Sequence, residues 1–263
     1  HNADSFGYDT RYVQPGNEPE SWDWLLDERW SGRVAVVNEP TIGVFDLALA
    51  ARAQGIIEFE DIGNMTIAEI DKLFALLVER KRAGHFTGVW NSVPESVDFM
   101  SSGRAVVESM FSPGAATLQS KGIPVIYAAP KEGYRAWHGV MCLSSACNEE
   151  ELEAAYAYMN WWLSGRPGAL MARQGYYISV QEPARSYLSQ DEWDYWYEGR
   201  EARADIVGIN GETIAQQGDR RNGGSYLDRM GNVAVWNTVM DQYEYLLLRW
   251  GEFVTTEPLK KGS

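Results

Sequence analysis

Strand-like and helix-like segments alternate between residues 33 and 128, and this alternation restricts the fold more than any other feature of the sequence. Val34–Val37 is a continuous apolar run, which is typical of a strand buried on both faces. An apolar helical stripe follows it and stops at Gly55, and Thr66 and Glu69 form a capping-box pattern for a second helix. Such alternation predicts an α/β layer sandwich with a mainly parallel sheet.

Further elements follow the same pattern up to about residue 180. Strands are predicted at residues 86–90, 105–111, 124–127 and 139–143, and helices at residues 92–101, 113–121, 149–163 and 166–174. The buried stripe of the helix that follows Asn148 is predicted to contain Leu152, Ala155, Tyr156, Met159 and Leu163. Residues 205–224 are rich in Gly and Asp and predict a surface loop, and the last helix is predicted over residues 233–250. The final third is therefore expected to be helical, without a second sheet.

Composition excludes some classes of function and leaves others open. The formal net charge of -14 argues against a general nucleic-acid binder, which needs a basic face. No apolar stretch approaches the roughly 20 residues of a membrane-spanning helix. The chain has 11 Trp and 14 Tyr, which either fill several cores or line a cleft for sugars, cations or flat ligands.

The sequence contains no motif that would identify an enzyme. It lacks a Walker loop, a G-x-G-x-x-G turn, a G-x-S-x-G elbow and an H-E-x-x-H helix, so we expect no catalytic residue, metal or cofactor. Glu192 and Asp194 imitate a pair of glycosidase acids, but a solvated helix face is the commoner origin of such a pair. Cys142 and Cys147 allow either one local disulfide or two buried free thiols.

One series of motifs resembles a known family. Gly122–Gly133 reads G-x-P-V-x-x-x-x-P-K-E-G, Trp137 follows four residues later, and an R-P-G turn at Arg166 precedes the pair Gly175-Tyr176. This series resembles the periplasmic solute-binding proteins of ABC transporters of the spermidine/putrescine type. The upstream segments Trp22–Leu26 and Val44–Leu49 look like other parts of the same family.

The resemblance implies a fold and a domain organisation. The fold would be of the periplasmic-binding-protein type II, with one complete α/β lobe, part of a second lobe and a C-terminal helical segment. The expected segments are a first hinge strand (1–6), the complete lobe (7–135), the remnant of the other lobe (136–180) and the helical C-terminal segment (181–263). The resemblance also implies that roughly the first third of a family chain should precede His1. This part is expected to be a separate N-terminal fragment, which would then be a partner, to have been removed, or to lie outside the given sequence.

The resemblance further implies a function and a site. The protein would be a periplasmic receptor that captures a small cationic or zwitterionic solute between two lobes and contacts the membrane only peripherally, through ABC permease subunits. The expected ligand-binding residues are Trp137, Tyr176, Phe111, Glu39, Asn38 and Asp4. Gly43 and Gly139 stand where the family has carboxylates, and Glu108 or Asp4 are candidates to compensate. A ligand with fewer positive charges than spermidine is therefore expected.

Two other classes of function stay open at this point. The first is a carbohydrate-active enzyme with a Trp-rich cleft, which hydrolysis of aryl glycosides would reveal. The second is a sensor or scaffold lobe without a role in transport, which a fold without an interlobe cleft would favour. Permease and ATPase genes beside this gene would favour the receptor.

Overall fold

The computed structural model describes residues 1–259, and the chain forms two compact units. Unit 1 consists of residues 1–3 and 137–231, and the remainder of the described chain forms unit 2. The chain therefore crosses between the units after residues 3, 136 and 231. The C-terminal segment, expected to be one region, is divided at the third crossing, and its end belongs to unit 2.

Nine strands and ten α-helices make up the described residues. The strands are β1 (Asn2–Asp9), β2 (Val34–Val37), β3 (Phe86–Trp90), β4 (Val107–Met110), β5 (Val125–Tyr127), β6 (Tyr134–Trp137), β7 (Ile206–Val207), β8 (Thr213–Ala215) and β9 (Val233–Trp236). The helices of unit 2 are α1 (Pro40–Ala53), α2 (Ile67–Arg82), α3 (Val93–Ser101), α4 (Ser112–Ser120) and α10 (Tyr243–Thr255). The helices of unit 1 are α5 (Glu149–Trp162), α6 (Arg166–Ala172), α7 (Glu182–Arg185), α8 (Gln190–Trp196) and α9 (Tyr226–Gly231). None of the helices within residues 1–259 combines the length and the apolar character that crossing a membrane requires.

The main sheet is mixed and has seven strands. Its order is β3-β2-β4-β1-β6-β9, and β5 also pairs with β1. The pairs β2–β3, β2–β4 and β6–β9 are parallel, whereas β1 runs antiparallel to β4 and β5. The α/β class expected from the alternation is confirmed, and β1 makes the sheet mixed.

Alternate residues of β2 separate two apolar cores in unit 2. Val34 and Val36 face a core with α1, α2 and α10, while Ala35 and Val37 face a smaller core with α3 and α4. This alternation is the period-two geometry of a strand buried on both faces. Helices therefore cover both faces of the sheet, as the continuous apolar run predicts.

Local signals in unit 2 were sufficient to place most of its elements. The predicted capping box at Thr66 forms, since its side chain accepts from the Glu69 amide and the Glu69 carboxylate accepts from the Thr66 amide. Ser21 caps a short 3₁₀ turn over Trp22–Leu25, and Ser92 caps α3. These elements depend on hydrogen bonds within a few residues, which is why the sequence predicts them.

The strand predicted at residues 139–143 is wrong. The strand in this region is β6, which ends at Trp137, and residues 138–143 are irregular. Val140 and Met141 are exposed. The run is apolar enough for a strand, but no strand within the described chain pairs with it, and an unpaired run does not form a ladder.

The helix predicted over residues 233–250 is also wrong in its first half. Val233–Trp236 forms β9, which pairs in parallel with β6, and the helix begins only at Tyr243. The β-branched run suits a strand, and only the tertiary structure supplies its partner. Strands β7 and β8 likewise form a small antiparallel ribbon within the predicted surface loop 205–224.

The predicted buried stripe of α5 is not buried. The helix forms with a capping box between Asn148 and Glu151, but none of its residues is buried. Tyr156 and Leu163 are exposed, and Leu152, Ala155 and Met159 are only half-buried. The helical period was correct, whereas burial depends on which element packs against a face, and that is not a local property.

Candidate functional site

The predicted site residues of unit 2 follow the ends of parallel strands. Asn38 follows β2, Asn91 follows β3 and Phe111 follows β4, so all three lie at the same edge of the sheet. The Asn38 side-chain amide donates to Asn91 Oδ1 at 2.8 Å. The rings of Phe111 and buried Trp90 pack edge to face, with centroids 5.1 Å apart. Ligands of open α/β sheets bind at this carboxyl edge.

Glu39 serves as the N-cap of α1. Its Oε1 accepts from the Thr41 amide at 3.2 Å and from the Thr41 hydroxyl at 2.8 Å. Both bonds use the same oxygen, so the cap does not engage Oε2. The half-buried carboxylate thus has the structural role of a helix cap and still carries a negative charge at this edge.

Trp250 of α10 is a residue of this edge that sequence reasoning missed. Its indole nitrogen donates to Asn38 Oδ1 at 3.0 Å. A Cβ added to Gly43 would lie 2.5 Å from Trp250 Cη2 and 2.7 Å from the Val37 carbonyl oxygen. No side chain fits there, so the carboxylate that the resemblance places at position 43 is replaced by an aromatic ring from the end of the chain. No local signal links residues 43 and 250.

We expect Gly43→Ala to lower the free energy of unfolding by about 1–3 kcal/mol, because the methyl group overpacks the contact with Trp250 and the Val37 carbonyl. Urea unfolding followed by circular dichroism measures the change. The matched control is Gly251→Ala on α10, whose added Cβ meets nothing within 4 Å and should stabilise by about 0.5–1 kcal/mol. Equal effects from the two substitutions would contradict the packing argument.

The predicted aromatic residues of unit 1 contact each other. Trp137 ends β6, Tyr176 follows α6, and their rings pack edge to face with centroids 5.5 Å apart and an interplanar angle of 81°. Both side chains are half-buried, which leaves part of each ring accessible. Gly139 is exposed, and a Cβ added to it would meet only Trp137 Cζ3, at 3.9 Å. A side chain therefore fits at position 139, in contrast to position 43.

Asp4 lies inside unit 2. Its side chain is fully buried, and its Oδ2 stands 3.6 Å from Nη2 of the equally buried Arg135. Arg135 in turn pairs with Asp46 at 2.7 Å. The carboxylate of Asp4 thus faces a buried arginine inside the protein, unlike that of Glu39.

The P-K-E-G motif has a structural role. Glu132 accepts from the Ser21 hydroxyl at 2.6 Å and from the Trp22 amide at 3.2 Å, and the Trp22 indole donates to the Gly133 carbonyl at 2.8 Å. Gly133 has a φ of +95°, and a Cβ there would lie 2.7 Å from the Asn232 carbonyl oxygen. The motif therefore fixes the loop that leads into β6 and Trp137.

Arginines form ion pairs with both of the carboxylates that imitate glycosidase acids. Glu192 accepts from Arg173 at 2.5 Å, and Asp194 accepts from Arg203 at 2.8 Å. Burial alone would raise the pKa of Glu192, but hydrogen bonds from Arg173 and Ser189 lower it. A general acid needs a raised pKa, so this pair does not favour a hydrolase.

Three further features lie apart from these residues. Cys142 and Cys147 are both free thiols, so the predicted local disulfide does not form. Cys142 is exposed and Cys147 is half-buried. The alternative prediction of two buried free thiols is therefore also wrong. Across the described residues, no group of three or more His, Cys, Asp or Glu side chains is arranged to hold a metal ion. An open pocket of about 620 Å³ in unit 2 includes Asp61, Trp236 and Asp241 in its lining but none of the predicted site residues.

Comparisons with known proteins agree with this fold. The family model of bacterial extracellular solute-binding proteins matches residues 2–195. A putative spermidine/putrescine ABC transporter protein of Listeria monocytogenes has a similar structure, with a TM-score of 0.65 at 15% identity over 97% of this chain and 67% of that one. The spermidine/putrescine substrate-binding protein PotD of Streptococcus pneumoniae gives a TM-score of 0.60 at 15% identity, over 97% of this chain and 68% of PotD.

A third similar structure is described as a GABA receptor. Its TM-score is 0.57 at 14% identity, over 99% of this chain and 69% of that one. This chain therefore spans about two thirds of the length of each of these neighbours. A comparison with curated protein sequences finds no match. Because the family model covers most of the chain and the α/β fold agrees with it, the chain belongs to the bacterial extracellular solute-binding proteins.

Proposed function

We propose that this protein is the receptor subunit of an ABC importer and that its ligand is a small organic solute with one positive charge, either a monocation or a zwitterion. Trp137, Tyr176, Phe111 and Glu39 are the proposed ligand contacts, with Asn38 beside Glu39. Asp4 is left out of this set, because its buried carboxylate already faces Arg135.

The observation that carries the proposal is the combination of accessible aromatic rings with few free carboxylates. The half-buried rings of Trp137, Tyr176 and Phe111 offer surfaces that attract an ammonium group, each contact worth about 0.5–2 kcal/mol. Position 43 has no space for a carboxylate side chain. Position 139 has the space, but its glycine has no carboxylate. Glu39 thus remains as the proposed partner for one ammonium group, which disfavours a ligand with several charges.

The similar structures suggest two ligand classes, namely polyamines with several positive charges and zwitterions with one. Two are described as spermidine/putrescine proteins and one as a GABA receptor, and GABA is a zwitterion with a single ammonium group. The reduced number of carboxylates favours the second class. In this function the partners are ABC permease subunits in the membrane, the location is the periplasm, and the protein itself catalyses no reaction.

Titration calorimetry on the 263-residue chain tests the proposal with GABA, putrescine and spermidine. We expect GABA to bind more tightly than spermidine and Trp137→Ala to weaken binding by about 2- to 30-fold, since one aromatic contact of about 0.5–2 kcal/mol is lost. The matched control is Trp161→Ala, which removes an exposed ring of α5 and should leave affinity unchanged. Failure of all three compounds to bind, or equal effects of the two variants, would overturn the proposal.

A further inference from the structure

Three segments of unit 2 meet at one buried guanidinium. Arg135 of β6 donates from Nε to Asp46 Oδ1 at 2.7 Å, and its Nη2 lies 3.6 Å from Asp4 Oδ2 on β1. Its Nη1 lies 3.5 Å from Asn237 Oδ1, just beyond β9. The Ser109 hydroxyl donates to the second oxygen of Asp46 at 2.6 Å. Arg135, Asp4 and Asp46 are fully buried.

These residues stand next to the places where the chain crosses between the units. Asp4 is the first residue of unit 2 in β1, and Arg135 is one residue before its end in β6. Asn237 follows the third crossing by a few residues. Each of the three crossing segments is therefore connected to the same side chain.

The cluster is unusual in its charge balance, because two carboxylates share one guanidinium. Burial disfavours the charged form of Arg135, but Asp46 and Asp4 outweigh it and raise the pKa of the guanidinium. Apolar residues of similar volume often stabilise a core as well as a buried ion pair does. Stability alone therefore gives no reason for this cluster. The hydrogen bond from Arg135 to Asp46 is directional, and the 3.6 Å contact with Asp4 draws β6 towards β1 by charge attraction.

We propose that Arg135 is a positioning residue for Trp137. The two residues are two positions apart in β6, on the same face of the strand. By holding β6 to Asp46 and to β1, Arg135 fixes the end of the strand from which the Trp137 ring projects. The inference rests on the proposed function only in that Trp137 is taken as a ligand contact.

Fluorine NMR of the protein labelled with 5-fluorotryptophan tests the proposal without any ligand. The Trp137 resonance is assigned by its loss in Trp137→Phe, and the fully buried Trp22 and Trp90 serve as references in unit 2. Asp4→Ala cuts the connection to β1 and leaves the Arg135–Asp46 pair neutral. We expect it to shift the Trp137 line by more than its width, or to split it, while the reference lines stay in place.

Two further variants make the test complete. The neutral triple variant Asp4→Asn, Arg135→Met, Asp46→Asn removes all charges and should also move the Trp137 line. Asp98→Ala is the control, because it removes an exposed carboxylate of unit 2 that pairs with Arg104, and it should change nothing. An unchanged Trp137 line in folded Asp4→Ala or in the folded triple variant overturns the proposal.

The unaltered protein gives a third measurement, which does not depend on the folding of any variant. Its Trp137 resonance should be a single line about as narrow as that of Trp90. A doubled or broadened Trp137 line would overturn the proposal, because β6 would then not be held. Calorimetry with GABA tests the proposed function separately, so the failure of one experiment is distinguishable from the failure of the other.

Discussion

Gly139→Asp is expected to raise the affinity for putrescine by about 10–100-fold, because a carboxylate beside Trp137 adds a charge-assisted hydrogen bond of about 1.5–3 kcal/mol to an ammonium group. The side chain fits, since an added Cβ meets only Trp137 Cζ3 at 3.9 Å. The substitution would therefore move the preference from one positive charge towards two.

Titration calorimetry with putrescine and GABA measures this change. Gly139→Asn is the matched control, because it has nearly the same shape and no charge, and it should gain much less affinity for putrescine. Raised ionic strength should reduce the gain of the Asp variant if it comes from charge. Equal affinities of the Asp and Asn variants would contradict the role assigned to a carboxylate at this position.

Glu108→Gln is expected to raise the stability of the protein at neutral pH and to remove a pH dependence. Glu108 lies in the core between the sheet and α3, and within residues 1–259 neither of its carboxyl oxygens has a hydrogen-bond partner. Burial raises its pKa well above 4.5, and the positive charge of Arg104 opposes this shift only in part. The folded state therefore favours the protonated carboxyl.

The direction of the pH effect follows from this raised pKa. Below the pKa of about 4.5 in the unfolded chain, the contribution of Glu108 to stability is fully present. As the pH rises above that value, the unfolded chain ionises first, and stability falls by about 1.4 kcal/mol per pH unit until the folded pKa is reached. Gln is neutral in both states, so the variant lacks this loss.

Urea unfolding of the wild type and of Glu108→Gln between pH 5 and 8 measures the difference. The stability of the variant relative to the wild type should increase steadily with pH. Glu79→Gln changes an exposed carboxylate on α2 and serves as the control, which should follow the wild type. A constant difference between wild type and Glu108→Gln across this range would show that Glu108 ionises alike in both states.

The residues of the proposed site were predictable from the sequence to different extents in the two units. Trp137 and Tyr176 were identified by the motif series, and the structure brings their rings into contact. Glu39 was predicted as a ligand contact, and its bonds to Thr41 give it the role of a helix cap without removing its charge. Asp4 was expected to be available, but its neighbour Arg135 is more than a hundred residues away in sequence.

The sequence by itself determined the α/β class, the capping box at Thr66, the two-faced burial of Val34–Val37 and the family. Each of these depends on residues within one turn or one strand, or on motifs read in order along the chain. The tertiary structure alone decided that Val233–Trp236 is a strand, that α5 has no buried residue and that Trp250 occupies the space beside Gly43. The physical reason is the same in all three cases. Strand pairing, burial of a helix face and the lack of space for a side chain each depend on a second segment of the chain. Local periodicity and propensity do not tell which segment lies nearby.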